Sequence, residues 1–216
     1  MHRLLALLLP ILVLATSAPR AETADTRAPL ALGQLWGASV KAEENKDYQA
    51  AIAAMKSFHE KGGDAFLATL RAGWLHYQAG QYADAYKTYE KAARLSPTSL
   101  NARLGALNAA QALLDIRGTV TAAENVLKVE PTNYRALMAV AGVYYAQKDY
   151  RQAAAGYGRV LITYPDDLDA RSGAAWSAFN MGDKRAAESS FRLLLSMSPD
   201  YPQAREGYDL AIGAKK

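Results

Sequence analysis

The side chains that could act as acids, bases or nucleophiles are few and scattered in this chain of 216 residues. Cysteine is absent, which excludes disulfides, thiolate metal sites and cysteine nucleophiles. Two of the three histidines, His59 and His76, lie beyond the N-terminal segment 1–21. The first ends a predicted helix and the second occupies a packing position, so both are interpreted as surface or core side chains rather than catalytic groups.

The acidic pairs of the sequence do not form a better acid–base site. Glu43-Glu44 and Asp166-Asp167 are adjacent residues, and neighbouring residues of a helix do not face each other. A two-carboxylate mechanism needs side chains that converge on one bond. The H-E-x-x-H, G-x-S-x-G and G-x-x-x-x-G-K-[ST] motifs are also absent from the sequence. The sequence therefore predicts a protein that is not an enzyme and that holds no metal and no cofactor.

The elements that position these residues follow a fixed period. Pro97, Pro131, Pro165 and Pro199 recur at one constant interval. A fixed period of roughly 34 residues marks a repeat array. Proline lacks an N–H and disfavours helix at the residue before it, so each proline separates two helices. Gly63 continues the spacing backwards as a helix terminator. We therefore predict five units, which span 32–65, 66–99, 100–133, 134–167 and 168–201.

Each unit is predicted to contain two helices joined by a short turn of small or polar residues, such as Ala79-Gly80-Gln81. The polar, proline-containing segment 22–31 is predicted to be a disordered lead. Residues 202–216 are predicted to form a capping helix and tail, because Pro202 suits a first helical turn.

The formal net charge of +4 is too mild to indicate nucleic-acid binding.

Residues 1–21 have the composition of a secretory signal peptide. His2 and Arg3 precede the apolar run 4–14, and small residues follow it. The run is shorter than the roughly 20 residues of a spanning helix and contains Pro10, which argues against the alternative of a retained membrane anchor. We expect a mature chain without a membrane span that is exported, to the periplasm if the source is Gram-negative.

The array resembles the tetratricopeptide repeat family, whose units are helix-turn-helix hairpins of about 34 residues. The resemblance covers 32–201 and is strongest over 73–97. It rests on small residues early in each second helix and on larger ones four positions later: Ala51, Ala85, Ala153 and Ala187, then Met55, Tyr89, Tyr157 and Phe191. The resemblance implies an all-α fold, a right-handed α-solenoid of five such hairpins plus a C-terminal capping helix.

The third unit departs from the family pattern. Its turn reads Leu114-Asp115-Ile116-Arg117-Gly118, and Thr119 stands where the family has alanine. We therefore expect a distorted or more mobile turn in this unit, with a second helix that starts late, around Thr119.

The resemblance also implies that the first helices of the units line a concave groove that binds a partner. All three tryptophans of the chain fall at groove positions, and tryptophan is frequent in binding hot spots, although each could instead pack against the next unit. Amide side chains at the centre of the groove could bind a peptide backbone or a sugar hydroxyl. The predicted groove residues are Trp36, Leu70, Trp74, Tyr77, Asn101, Asn108, Gln111, Arg135, Met138, Tyr145, Trp176, Phe179 and Asn180.

Three functional hypotheses follow. The first is a secreted, non-catalytic scaffold that binds a protein or peptide in the groove. The second is a periplasmic component of envelope polysaccharide export, because the recurring Ala-Arg-x-Gly of 102–105, 170–173 and 204–207 is similar to repeats of exopolysaccharide-secretion proteins. The third is self-association through the two ends of the array.

Overall fold

The computed structural model describes residues 24–213, and every helix or strand assigned in that range is an α-helix. The predicted signal peptide, 1–21, lies outside the described residues. The helices are α1 (Ala24–Glu44), α2 (Tyr48–Glu60), α3 (Ala65–Gln78), α4 (Tyr82–Leu95), α5 (Leu100–Ala112), α6 (Ile116–Leu127), α7 (Tyr134–Ala146), α8 (Tyr150–Thr163), α9 (Leu168–Asn180), α10 (Lys184–Met197) and α11 (Ala204–Ile212).

The first ten helices form five antiparallel pairs, hairpins 1 to 5, that stack in chain order. Each helix packs against the next one in the chain, and α11 covers the last hairpin by packing on α9 and α10. A single hairpin cannot bury its apolar face alone, so stability comes from these stacked interfaces. The prediction of an all-α solenoid of five hairpins and a capping helix is confirmed.

The first helices lie on the inner side of the stack. Contacts between alternate helices join α3 to α5, α7 to α9 and α9 to α11, all of which are first helices or the cap. In a curved array the inner elements are the ones that approach each other most closely. We call the surface formed by α1, α3, α5, α7 and α9 the concave face.

The turn inside every hairpin has the same backbone geometry. One residue in each turn has a positive φ, and the five recur at the interval of the prolines: Lys46, Gly80, Leu114, Lys148 and Gly182. The residue that follows is the N-cap of the second helix, and in four hairpins it is an aspartate whose carboxylate accepts a backbone N–H three positions on: Asp47, Asp115, Asp149 and Asp183. These caps satisfy N–H groups that a helix start leaves without a partner.

The prediction of a distorted third turn and a late second helix is wrong. Helix α6 begins at Ile116, three residues before Thr119, because Asp115 caps it by accepting the Gly118 N–H at 2.9 Å. A side chain at 118 would meet this carboxylate, since an added Cβ would lie under 3.0 Å from its Oδ2. Leu114 adopts the left-handed conformation, φ 56°, that glycine or lysine adopts in the other turns.

The lead segment also differs from its prediction. Helix α1 begins at Ala24, so most of 22–31, predicted to be disordered, is helical. Alanine has the highest helix propensity, and Ala24, Ala28 and Ala31 supply it here. Pro29 lies inside the helix, early enough that few backbone hydrogen bonds precede it.

Aromatic side chains of the second helices pack against glycines of the following first helix. The ring of Tyr89 lies where a Cβ on Gly105 would be, under 3.0 Å from the nearest ring carbon. The same relation holds between Tyr157 and Gly173 and between Phe191 and Gly207, two and three repeats further on. The glycines of the Ala-Arg-x-Gly motif therefore serve packing between hairpins.

Two arginines of that motif brace the loops between hairpins. Arg103 donates a hydrogen bond to the Pro97 carbonyl at 2.6 Å, and Arg171 donates to the Pro165 carbonyl, two repeats further on. The three glycines and two of the three arginines of the motif that suggested polysaccharide export therefore have a structural role.

Candidate binding groove

Polar contacts connect successive first helices across the concave face. Arg71 of α3 forms an ion pair with Glu43 of α1 at 2.8 Å. Further along, the Arg135 guanidinium of α7 donates to the Asn108 side-chain oxygen of α5. Asn180 of α9 donates through Nδ2 to the Tyr145 hydroxyl of α7 at 3.2 Å. Asn108, Arg135, Tyr145 and Asn180, all predicted groove residues, thus contact one another in pairs.

The N-terminal part of the face is held by the Glu43 carboxylate. One of its oxygens accepts the Arg71 guanidinium, and the other accepts the indole N–H of Trp74 at 2.7 Å. Arg71 also donates to the Ser39 hydroxyl at 2.9 Å and lies 5.4 Å from the ring centre of Trp36, a cation–π contact. Because both tryptophans contact Arg71 or its partner, their rings are preorganised.

A hollow of about 240 Å³ opens beside these tryptophans, and we call it the Trp74 hollow. Four predicted groove residues line it together with three others: Trp36, Leu70, Trp74 and Asn101, with Leu67, Arg71 and Tyr89. Trp74 is 42% exposed, whereas Trp36 is half-buried and packs edge-on against Phe58 at 5.7 Å. Tyr77, another predicted residue, stacks on Trp74 at 6.5 Å without lining the hollow.

A larger cavity of about 710 Å³, the central groove, lies between hairpins 3 and 4. Three predicted residues line it: Gln111, Arg135 and Met138. Eight further residues complete its wall: Leu114, Ile116, Thr119, Tyr134, Ala139, Gly142, Val143 and Ala146. Most of this lining is apolar, and a volume of this size lies within the ~300–1,000 Å³ of small-ligand pockets.

The C-terminal part of the face is mainly a packing surface. Trp176 is half-buried and meets Phe179 at 5.8 Å and Phe191 at 5.1 Å, both edge-to-face. Asn180 donates to the Trp176 carbonyl at 2.8 Å as well as to Tyr145. Trp176 and Phe179 belong to the core around Phe191 and line neither the Trp74 hollow nor the central groove.

Sequence reasoning missed the residues that shape the central groove. Gly142 occupies the repeat position of Trp74, two repeats earlier, and of Trp176, one repeat later. The sequence alone therefore shows that hairpin 4 lacks a side chain at this position. Leu114 was visible as an apolar residue in a turn that is otherwise polar or glycine-containing. Tyr134 is half-buried in the wall, and burial, followed by its hydrogen bond with Asp167, raises its pKa to about 12.

The side chains considered for acid–base chemistry do not converge on a common site. The His76 Nδ1 lies 2.7 Å from the Gln81 side-chain oxygen, and Asp167 caps α9 by accepting the Ala170 N–H at 2.7 Å. Glu43 is engaged by Arg71 and Trp74, as described above. Over residues 24–213, no group of three or more His, Cys, Asp or Glu side chains could hold a metal ion.

Within the same range, none of the helices combines the length and the apolar character needed to cross a membrane. The concave face offers aromatic, amide and apolar surfaces.

Solved structures with this fold align with most of the chain. A structure of MamA aligns at 17% identity with a TM-score of 0.68 and covers 82% of this chain and 96% of its own. A tetratricopeptide repeat protein from Parabacteroides merdae ATCC 43184 aligns at 17% identity and TM-score 0.69, covering 85% and 74%. YrrB, described as a repeat protein with an unusual peptide-binding site, aligns at 15% identity and TM-score 0.63, covering 78% and 87%.

No functionally curated protein matches the chain. Three models of the tetratricopeptide repeat do match its sequence, over residues 67–99, 104–167 and 169–201. These matches span more than half of the chain and coincide with hairpins 2 to 5. The chain belongs to the tetratricopeptide repeat family.

Proposed function

We propose that this protein is a non-catalytic scaffold that binds a protein or peptide partner on its concave face. The observation that carries the proposal is the preorganised inner surface, in which the exposed Trp74 lines one hollow and the central groove lies further along, between hairpins 3 and 4. Tryptophan and arginine are the residues most frequent in binding hot spots. The fold shared with YrrB, a peptide-binding repeat protein, supports the same conclusion.

We also propose that the chain is exported, on the strength of the basic start, apolar run and small-residue exit within 1–21. In a Gram-negative source the scaffold would then act in the periplasm. A direct role in polysaccharide export has less support, because packing accounts for the three glycines of the Ala-Arg-x-Gly motif and loop bracing for two of its three arginines.

Replacing Trp74 tests the proposal. Trp74→Ala removes the exposed indole of the concave face, and Leu95→Ala is a matched control on the second helix of the same hairpin, where Leu95 is 47% exposed. A hot-spot truncation costs about 2 kcal/mol or more, so we expect roughly thirty-fold weaker capture of the partner from source-cell envelopes by Trp74→Ala. Capture by Leu95→Ala should equal that of the wild type.

Thermal unfolding of both variants verifies that the comparison concerns binding and not folding. Trp176 is unsuitable for this test, because its contacts with Phe191 and Phe179 would make its removal a core mutation. Undiminished capture by a folded Trp74→Ala protein would refute the proposed use of the concave face.

A further inference from the structure

The central groove has room because hairpin 4 has a glycine where every other hairpin has a larger residue, a tryptophan in two of them. The residues at this repeat position are Val40, Trp74, Asn108, Gly142 and Trp176. Gly142 lines the central groove, as Trp74 lines its own hollow. A Cβ added to Gly142 would meet no heavy atom within 4 Å, so the space in front of α7 is open.

The adjoining position adds to this space. Ala139 lines the central groove at the position that Arg71, two repeats earlier, occupies beside the Trp74 hollow. A long charged side chain at 71 and an alanine at 139 explain why the second cavity is the larger one. Two adjacent turns of α7 therefore provide a smooth apolar floor.

The rim of the groove carries exposed aliphatic side chains at two positions where the other hairpins have glycine, lysine or tyrosine. Leu114 is 87% exposed and has a φ of 56°. This left-handed backbone conformation is unfavourable for residues that carry a Cβ. Ile116, which is 48% exposed, occupies the position of a tyrosine or lysine in the other hairpins. The left-handed backbone recurs in the other turns, where lysine or glycine adopts it, so this turn differs from them in its exposed apolar side chains. Clustered exposed apolar side chains mark interaction sites.

The charge of the groove indicates what its occupant carries. Arg135 is the one charged residue among the described side chains that line the groove. Its guanidinium donates to the neutral amide of Asn108, and the ion pairs found among the described residues do not include it. A carboxylate of a partner would therefore complement an arginine whose charge is not yet paired.

We propose that the central groove is the recognition site for a partner segment that places a cluster of large apolar side chains on the α7 floor and a carboxylate against Arg135. This inference rests on the proposed scaffold function and specifies its partner. The groove volume of about 710 Å³ accommodates several side chains. Met138, a flexible apolar residue of the floor, can adapt to their shapes.

The test uses a phage-displayed library of random twelve-residue peptides selected on the full chain. Enriched peptides should combine two or more large apolar residues with an Asp or Glu. A fluorescein-labelled synthetic copy of one such peptide is then titrated against variants by fluorescence polarisation. Arg135→Gln should weaken its binding about ten-fold or more, as expected for loss of a hydrogen-bonded charge pair.

Two tryptophan substitutions in hairpin 4 form a matched pair. Gly142→Trp fills the groove with the residue that hairpins 2 and 5 carry there, whereas Gly158→Trp places the same side chain on α8, where a Cβ also meets no atom within 4 Å. We expect at least ten-fold weaker peptide binding for Gly142→Trp and wild-type binding for Gly158→Trp. Gly142→Leu is the alternative filling variant if the tryptophan lowers the melting temperature.

A substitution at the rim provides a separate measurement of stability and of peptide binding. Leu114→Gly relieves the left-handed strain, so it should raise the melting temperature while weakening peptide binding. Equal peptide affinities of Gly142→Trp and Gly158→Trp, with binding still lost on Trp74→Ala, would overturn the central groove as the recognition site and leave the scaffold function intact. Failure of the library to yield any enriched peptide would count against both.

Discussion

Glycine has two opposite roles in the first helices. Gly105 admits the ring of Tyr89 from the preceding hairpin, so the absence of a Cβ permits close packing. Gly142 faces open space, so the absence of a side chain creates the central groove. The residue type alone does not distinguish these roles, because the difference lies in what the neighbouring hairpin places opposite each glycine.

The two glycines should respond in opposite directions to the same substitution. In Gly105→Ala the added Cβ would lie under 3.0 Å from the Tyr89 ring, and overpacking of this kind costs about 1–3 kcal/mol of unfolding free energy. Gly142→Ala should instead stabilise the chain by about 0.5–1 kcal/mol, because alanine is the better helix former and nothing opposes it. Urea unfolding of both variants measures the difference, and equal effects would contradict this assignment.

At the scale of the helices, the features predicted from the sequence are those that the regular spacing of the prolines determines. The helix pairs, their order and the capping helix follow from that spacing and from the small and large residues of the second helices. The third turn could not be predicted from residue preferences, because Leu114 adopts a conformation that leucine disfavours. The cap at Asp115 and the shared turn geometry of the array override that preference.

The interfaces between helices should be sensitive to alkaline pH. Burial and, to a smaller extent, Tyr77 raise the pKa of Tyr89 to about 12. Burial, followed by the hydrogen bond with Asp169, raises the pKa of Tyr201 to about 12. An unfolded tyrosine has a pKa of about 10, so the folded chain holds protons that the unfolded chain releases.

The stabilisation from these tyrosines is therefore complete below pH 10 and is lost as the pH rises from about 10 to 12. Unfolding free energies from urea titrations at pH 8, 10 and 11.5 should decrease over the last interval. Tyr89→Phe, which cannot ionise there, should show a smaller decrease than the wild type. A flat profile up to pH 11.5 would contradict the burial of these hydroxyls.

At the scale of the whole molecule, the stack turns scattered side chains into one inner surface. The sequence register predicted Gln111, Arg135 and Met138 as groove residues, and the structure places all three in the wall of the central groove. It did not predict the groove itself, since the cavity depends on two small residues of α7, Gly142 and Ala139, and on the residues of hairpin 3 that line the same space. Trp176 lies in the core because Phe191 and Phe179 enclose it.

Export remains a prediction, and so do polysaccharide binding and self-association of the array. The concave face is the feature on which the proposed function depends, whatever the partner is. A direct test must therefore report which face of the stack a partner contacts in the source cell.

Site-specific photocrosslinking in source cells provides that measurement. Benzoylphenylalanine is introduced at Asn101 or Gln111, both exposed on the concave face, and at Lys91 or Arg159, both exposed on second helices. We predict that illumination yields adducts of higher mass from the two concave positions and none from the other two. Adducts that form only from Lys91 and Arg159 would contradict a partner-binding concave face.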